Sequence, residues 1–501
     1  MDGLASILLA FPPDRASTYD EIYDAAAKAH IQRLSQLPSE QSGLLSANAN
    51  QLLHHVDPAL NSISYLVLLR SLLEAHPEAA DVSDDLRQAI VVFLLRFDPI
   101  QIRYAGSEFS SLLTVVESGT LLPASVAVEV ISAALLRLDP TGSMFTSHHL
   151  PLVELAYETD NVDSVLPVIT KDILFYPGPT TRSDKTLLCD PRLAPTAYMS
   201  LGSGFTGKVS SATVLRYDFL CGQCHLLRRD WRAAFDAFER LVTYPAKESG
   251  CSKIMLGAYN KWLLVGLLLN GKAPSLPATT SPGAQRMFNL AGNPYAAVAK
   301  AFEAGDASSL KAELASGAAN ADVWREGGDV GLLREVVAHF QRWQILNLRS
   351  VYSKIGLEAI RRATQSAETG GPLPSVAEVE ALVRDMISSG MLAGEIVVPP
   401  GGEDGEPHLV FLRGEKRNGE DDDEEMSEAR FAAELAGAVR RVRELQPLVA
   451  AQNERLTTHA DYIRYLAKEQ KRDKNSERDP GVGFDSQVED EDLMTGVVSN
   501  F

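Results

Sequence analysis

Cys221, Cys224 and His225 stand in C-x-x-C-H spacing, which fits covalent haem attachment, a dithiol redox pair or half of a zinc site. Each of these chemistries lacks a necessary companion. Haem attachment needs an oxidising export route, and Met1-Asp2-Gly3-Leu4 has no basic n-region of the kind that would start one. A structural zinc takes four ligands, and no second C-x-x-C or H-x-x-x-H pair occurs. Both cysteines continue an apolar helical stripe, so a core position is expected, where a free thiol packs as a small hydrophobe. Gly202-Ser203-Gly204-Phe205-Thr206-Gly207-Lys208 fits both G-x-G-x-x-G and G-x-x-x-x-G-K. The magnesium-binding Ser or Thr that should follow is Val209, and no clear buried strand or βαβ pattern surrounds it. A loop between hairpins is expected there, without a nucleotide. His54-His55 and His148-His149 are adjacent pairs, which chelate one metal poorly, and H-E-x-x-H, H-x-H and G-x-S-x-G are absent. No catalytic, cofactor or metal site is expected, and the chain is not expected to be an enzyme.

The segments that must carry these residues are helical. Leu and Ala recur throughout while aromatics are only 7%, which favours helices over sheets. Leu94-Leu95-Arg96-Phe97-Asp98-Pro99 recurs as Leu135-Leu136-Arg137-Leu138-Asp139-Pro140, an offset of 41 residues that suits a helix-pair repeat. The residue before each proline is pushed out of the α region, so both helices should end there. Tyr176-Pro177 and Tyr244-Pro245 are expected to end helices in the same way. Within 212–245, Tyr217, Leu220, Gly222, Cys224 and Leu227 line one helix, and Arg228-Arg229-Asp230 turns the chain. Trp231, Ala234, Phe235, Phe238, Leu241 and Val242 line a second. Gly222 and Ala234 would let the two approach closely, and the hairpin partly fits the tetratricopeptide pattern. Further apolar helices are expected over about 254–269 and around Leu332 to Phe340. Hairpins that bury their apolar faces only on neighbours form an α-solenoid.

A different pattern occupies 350–413. One helix starts at Gly356, with Ile355 and Ile360 as a hydrophobic staple. A second starts at Ser375-Val376-Ala377-Glu378, a capping box, buries Val379, Leu382, Val383, Met386 and Ile387, and stops at Gly390. Two β-rich runs follow, Glu395-Ile396-Val397-Val398 and His408-Leu409-Val410-Phe411-Leu412. Helix, helix, hairpin is the order of a winged helix, which serves either as a nucleic-acid reader or as an assembly joint. Charge decides between them. The second helix exposes Glu378, Glu380 and Asp385 against Arg384 alone, the wing tip holds Glu403, Asp404 and Glu406, and the chain carries −19 overall. Phosphate binding requires the opposite sign, so DNA is excluded as a partner.

Beyond Arg413 lies an acidic run, Glu415 to Glu425, expected to be a disordered linker. Phe431, Leu435, Ala438, Val442, Leu445, Val449, Leu456, Ile463 and Leu466 then recur in alternating steps of four and three, with Gln452 and His459 in the gaps. That is a heptad seam, which Pro447 should kink and which needs a partner to cover it. From about Asp473 the tail is acidic and expected to be disordered. The longest apolar runs, such as Trp262 to Leu269, are too short for the roughly 20 residues that span a bilayer. With four irregularly spaced cysteines, a soluble protein of the cytoplasm and nucleus is expected.

This order of parts resembles the PCI family, shared by the proteasome lid, the signalosome and a translation initiation factor. The resemblance is carried by Tyr217 to Pro245, Lys253-Ile254-Met255-Leu256, Tyr259-Asn260-Lys261-Trp262 and Leu268-Leu269-Asn270-Gly271-Lys272. It continues through Asn293-Pro294-Tyr295, Leu348, Tyr352, Ile355, Leu357, Val379, Met386-Ile387, Gly390 and Ile396. It is strongest toward the signalosome branch; a proteasome-lid subunit, or an RNA-binding or translation-initiation adaptor, are the alternatives. Departures are Gly356 in place of a hydroxyl cap, the long wing loop Pro399 to Pro407 and the acidic insert. The resemblance implies a mainly α chain: a right-handed α-solenoid of TPR-like hairpins, a winged-helix module with a small β-hairpin, and a long C-terminal helix. The expected segments are 1–200 helical repeats, 201–330 TPR-like hairpins, 331–413 winged helix, 414–427 linker, 428–472 bundle helix and 473–501 tail. It also implies a non-catalytic scaffold, without cofactor, whose partners are PCI and MPN subunits and, through the complex, cullin-RING ligases, with no membrane involved. The interface is expected at Glu395, Ile396, Val397, Val398, His408, Leu409, Val410 and Phe411, and along Phe431, Leu435, Val442, Leu445, Val449, Leu456, Ile463 and Leu466.

Overall fold

The computed structural model describes residues 2–12, 19–37, 39–76, 82–177, 187–245, 251–315, 323–398, 406–412, 428–458 and 462–468. The chain divides into two compact units, Met1–Tyr217 with Gly437–Phe501, and Asp218–Ala436. It is mainly α, helical hairpins leading to a winged-helix module.

The first unit begins with α1 (Asp2–Leu8), α2 (Glu21–Ser35), α3 (Ser39–Leu53) and α4 (Ser62–Ala75). It continues with α5 (Asp84–Arg96), the short α6 (Pro99–Ile102), α7 (Gly106–Glu117), α8 (Ala124–Leu138), α9 (His149–Glu158) and α10 (Val162–Ile169). Helix α3 packs on α4, α5 on α8, and α8 on both α9 and α10, so neighbours in sequence cover one another's apolar stripes. The repeated L-D-P step behaves as expected. Asp98 and Asp139 both leave the α region, with ψ of 113° and 90°, and α5 and α8 have ended before them. Their carboxylates then satisfy amides of the following turns, Ile100 and Thr141. The Arg137 guanidinium, part of the second copy, donates to carbonyls of Phe97 and Arg96 in the first. Tyr176-Pro177 departs from expectation. Helix α10 has ended at Ile169, and the segment before Pro177 is extended, with Phe175 bridged to Met144. The Phe145 and Leu174 amides are satisfied across that bridge, at 2.9 Å each, so the backbone has a non-helical partner.

The short α11 (Pro195–Tyr198) precedes α12 (Ser211–Leu227), within which the two units divide at Tyr217/Asp218. Arg229, at φ 54°, turns the chain into α13 (Trp231–Val242), capped by Asp230. A Cβ on Gly222 would lie 2.5 Å from the Phe238 ring, so glycine is what lets these helices meet. Next come α14 (Lys253–Asn270), α15 (Pro282–Ala291), α16 (Asn293–Glu303), α17 (Ala307–Ala315), a single turn at 323–326 and α18 (Val330–Asn347). Ser252 caps α14 and Gly271, at φ 70°, ends it.

The winged-helix module runs β1 (Lys354–Gly356), α19 (Leu357–Ala363), α20 (Val376–Ser388), β2 (Gly394–Val397), β3 (His408–Phe411), with strand order β1-β3-β2. Strand β1 was not foreseen. Three residues ending in glycine give too short a run for periodicity to reveal. Gly356 caps α19 with Ile355 and Ile360 in one core, as the staple requires. Ser375 accepts from the Glu378 amide, while the Glu378 carboxylate meets the Ser375 hydroxyl rather than its amide, so half of the capping box forms. Ile345, Ile355, Leu357, Ile360, Val379, Val383, Met386, Leu392, Leu409 and Phe411 make the core. The chain then enters α21 (Glu428–Thr458), which runs through Pro447 as one element, and residues 462–468 are again helical. The expected linker and the tail from Asp473 lie outside the described residues. Among the described residues no helix is long and apolar enough to cross a membrane.

Candidate assembly surfaces

The register of the small sheet decides which backbone groups remain available. Both pairings of β3 are antiparallel: Ile355 faces Leu409, and Ile396 faces Leu409 from the other side. The Leu412 amide donates to Ala393 O at 3.1 Å, and the Phe411 amide to Ser353 O at 3.0 Å. Hydrogen-bonded and non-hydrogen-bonded pairs alternate along an antiparallel ladder. Counting from those two bonds, Glu395 and Val397 turn their amides and carbonyls toward β3, whereas Gly394, Ile396 and Val398 turn theirs outward. On the opposite border Lys354 and Gly356 do the same. Strand β3 is thus the middle strand, with both edges engaged inside the chain. Of the expected interface residues, Leu409 and Phe411 lie in the core, 0% and 7% exposed. Their backbones offer no edge, so strand addition is left to β2 and β1. Around the sheet, Val351, Tyr352, Val398 and Leu412 are exposed apolar side chains.

The seam is open over most of its length. Phe431, Leu435, Val442, Val449, Leu456, Ile463 and Leu466 are all exposed, Val442 by 60%, and Leu445 is half-buried. Among the described residues of α21 it is Leu448, one position outside the expected seam, that the chain buries. Arg441 meets Asp172 at 3.3 Å, an ion pair within the first unit. Helices in proteins gain most of their stability from packing an apolar face rather than from propensity.

Glu380 and Asp385 on α20 are each paired with an arginine. Arg384 pairs with Glu380, and Asp385 receives the Arg342 guanidinium at 2.7 Å from α18. Glu403 and Asp404 lie outside the described residues. Nothing on α20 offers a row of cations to phosphates.

The motifs that suggested chemistry have structural answers. Cys221 and Cys224 are buried and neither forms a disulfide, and burial pushes the Cys224 thiol up to about 12, far from a reactive thiolate. His225 is buried as well, and desolvation lowers its pKa. Leu201–Ser203 form a 3-10 turn closed by a capping box between Ser200 and Ser203. Gly204, at φ 78°, presses against α7, where a Cβ would come within 2.8 Å of Ser107 Cβ. The glycines serve close approach of loop to helix, and Ser147 ties the loop down through the Gly207 amide at 2.9 Å. Among the described residues no three His, Cys, Asp or Glu side chains converge as a metal site would need.

One constellation escaped the sequence. His148 Nδ1 lies 2.6 Å from Glu117 and its Nε2 2.8 Å from Ser110 Oγ, the spacing of nucleophile, base and orienter. Its members come from α7 and the start of α9, too far apart in sequence to be read as a motif. Ser110 sits within α7, so the amides that follow it belong to the helix ladder and cannot form an oxyanion hole. The arrangement satisfies a buried imidazole and joins α9 to α7.

Helical hairpins that lead into a winged helix with an open sheet border, followed by a long helix whose apolar stripe is largely exposed, define a PCI-type subunit. Residues 28–283 match the family described as COP9 signalosome complex subunit 3, N-terminal helical repeats. A Neurospora crassa protein named COP9 signalosome complex subunit 3 is 43% identical over 99% of both chains. Proteins of the same name from Emericella nidulans and Drosophila melanogaster are 30% and 23% identical, over 78% and 75% of this chain and 79% and 80% of theirs. The chain belongs to the family of COP9 signalosome complex subunit 3.

Proposed function

We propose that this protein is a non-catalytic scaffold of the signalosome, the complex that removes the ubiquitin-like modifier Nedd8 from cullins and so regulates cullin-RING ubiquitin ligases. It holds sister PCI and MPN subunits through two surfaces, the outer borders of the β1-β3-β2 sheet and the uncovered face of α21. The bond-breaking metal site belongs to a different subunit, and the complex works in cytoplasm and nucleus. The observation that carries this reading is the row Leu435, Val442, Val449 and Leu456, each at least 40% exposed on one helix. An apolar stripe at heptad spacing gains most by joining other helices, and an open strand edge gains by receiving another strand. The test is expression of the chain ended after Leu412 beside the full chain, each with an affinity tag, followed by mass spectrometry of what co-purifies. Loss of most sister subunits from the shortened chain is expected. Full recovery of all of them would refute the role of α21.

A further inference from the structure

A charged knot lies inside the second unit, far from what the assembly surfaces use. Lys261, in the middle of α14, and Asp329 are ion-paired, with side chains 2% exposed each. The Lys261 ammonium also donates to Gly327 O at 2.9 Å, and the Tyr295 hydroxyl donates to the other Asp329 oxygen at 2.6 Å. Trp324 closes edge-on against Tyr295, with ring centroids 4.7 Å apart. Asp329 is the N-cap of α18, yet its side chain makes no capping bond to that helix. An aspartate at this position ordinarily caps its own helix. Here the carboxylate reaches across to α14 and α16 instead.

Net stability does not explain such a pair, because desolvation offsets most of the attraction and apolar replacements of similar volume are often as stable. Position does explain it. The turn Gly327-Gly328-Asp329 has no slack: Gly328 holds φ 67°, and a Cβ on Gly327 would stand 2.5 Å from Asp329 Oδ2 and 2.9 Å from the Tyr295 oxygen. From this turn α18 runs straight to the winged-helix module. Near the C-terminal end of α18, Trp343 Nε1 donates to Leu268 O at 3.2 Å on α14, and Ile345 enters the module's core. The direction in which α18 leaves the knot therefore sets how the module is carried on the last hairpins.

We propose that Lys261, Tyr295 and Asp329 are positioning residues, a lock that fixes the entry of α18 and thereby the pose in which the winged-helix module meets its neighbours. The lock rests on the assembly reading above for its purpose, but its existence can be tested without it. In the full-length chain, Lys261→Met alone leaves a buried carboxylate uncompensated and should lower Tm by roughly 5–10 °C. The triple variant K261M/Y295F/D329L removes both charges together and should recover most of that loss. Hydrogen exchange of the amides 327–333 should nonetheless stay about tenfold faster than in the parent, and affinity for co-expressed sister subunits should fall by about tenfold. Gly327→Ala, which changes no charge, should reproduce the faster exchange by crowding the knot, while Gly331→Ala, with open space around it, should not. A triple variant with parental exchange and parental affinity would overturn the lock, as would parental exchange in Gly327→Ala should the triple variant not fold. If the parent itself captures no signalosome subunit, the assembly reading fails, and the exchange comparison still decides whether the lock exists.

Discussion

Leu409 and Val442 are both branched apolar residues set in regular patterns, yet one is 0% and the other 60% exposed. The first sits in the middle strand of the winged-helix sheet, which the chain closes on both sides. The second sits on α21, where among the described residues it is Leu448 that the chain buries. What separates the two regions is who supplies the covering surface. Strand β3 is completed by β1 and β2 of the same chain, whereas among the described residues no strand pairs with the outer border of β2 and most of the α21 stripe is exposed. A periodic apolar pattern fixes which face must be buried and leaves open whether the burial is internal.

That contrast can be broken most strongly on α21. The double variant L435D/V442D places two charges in the open seam, and assembly measured by co-purification should drop about a hundredfold or more while Tm of the isolated chain stays within about 2 °C. A large Tm loss would mean that the chain already covers this face. On the sheet, a pair of prolines sharpens the comparison. Val397→Pro removes an amide that points into the ladder and should destabilise the module by about 3 kcal/mol in urea unfolding. Ile396→Pro removes an outward amide, so it should cost less stability, about 1–2 kcal/mol from lost packing, and should weaken partner binding instead. Equal effects of both on stability would contradict the register given above. Gly222→Ala probes a closed interior, since the new methyl meets Phe238; a loss of about 1–3 kcal/mol is expected in the same assay.

The smallest effect concerns pH. Burial against Phe11 and Ser64, with Arg33 nearby, lowers the His30 pKa from 6.5 to about 4. His149, buried beside Phe145 and His148, is lowered to about 3. Each imidazole is neutral in the folded chain and takes up its proton more readily once unfolded. The stability of the first unit should therefore fall as pH drops from about 6.5 toward about 4 and level off below the folded values. Thermal melts between pH 7 and pH 4.5 measure this, and His30→Gln should flatten the slope. An unchanged slope in that variant would show that other groups carry the effect.

Much of the architecture was legible because its signals are local. The Asp98-Pro99 and Asp139-Pro140 steps stop helices by sterics alone, Ser375 caps α20, and the apolar stripe from Val379 to Ile387 has a clear period. Tyr176-Pro177 was misleading, since a proline ends an extended segment as readily as a helix, and only the bridge from Met144 to Phe175 distinguishes the two. Strand β1 was invisible because Lys354–Gly356 become a strand only through pairing with β3, a contact across more than fifty residues. Among the expected interface residues, the β-rich run His408 to Leu412 revealed a strand but not that both its edges are filled. Lys261 and Tyr295 were read as marks of the family, and their joint contact with Asp329 emerged only when α14, α16 and the turn before α18 came together.

Hydrogen–deuterium exchange, read on the purified chain and again within the assembled complex, addresses the central claim most directly. The outward amides of Gly394, Ile396 and Val398, and residues 435–456, should exchange readily in the isolated chain and become protected on assembly, while Glu395, Val397 and 408–411 should be protected in both. Equal and strong protection of 435–456 in the isolated monomer would contradict it.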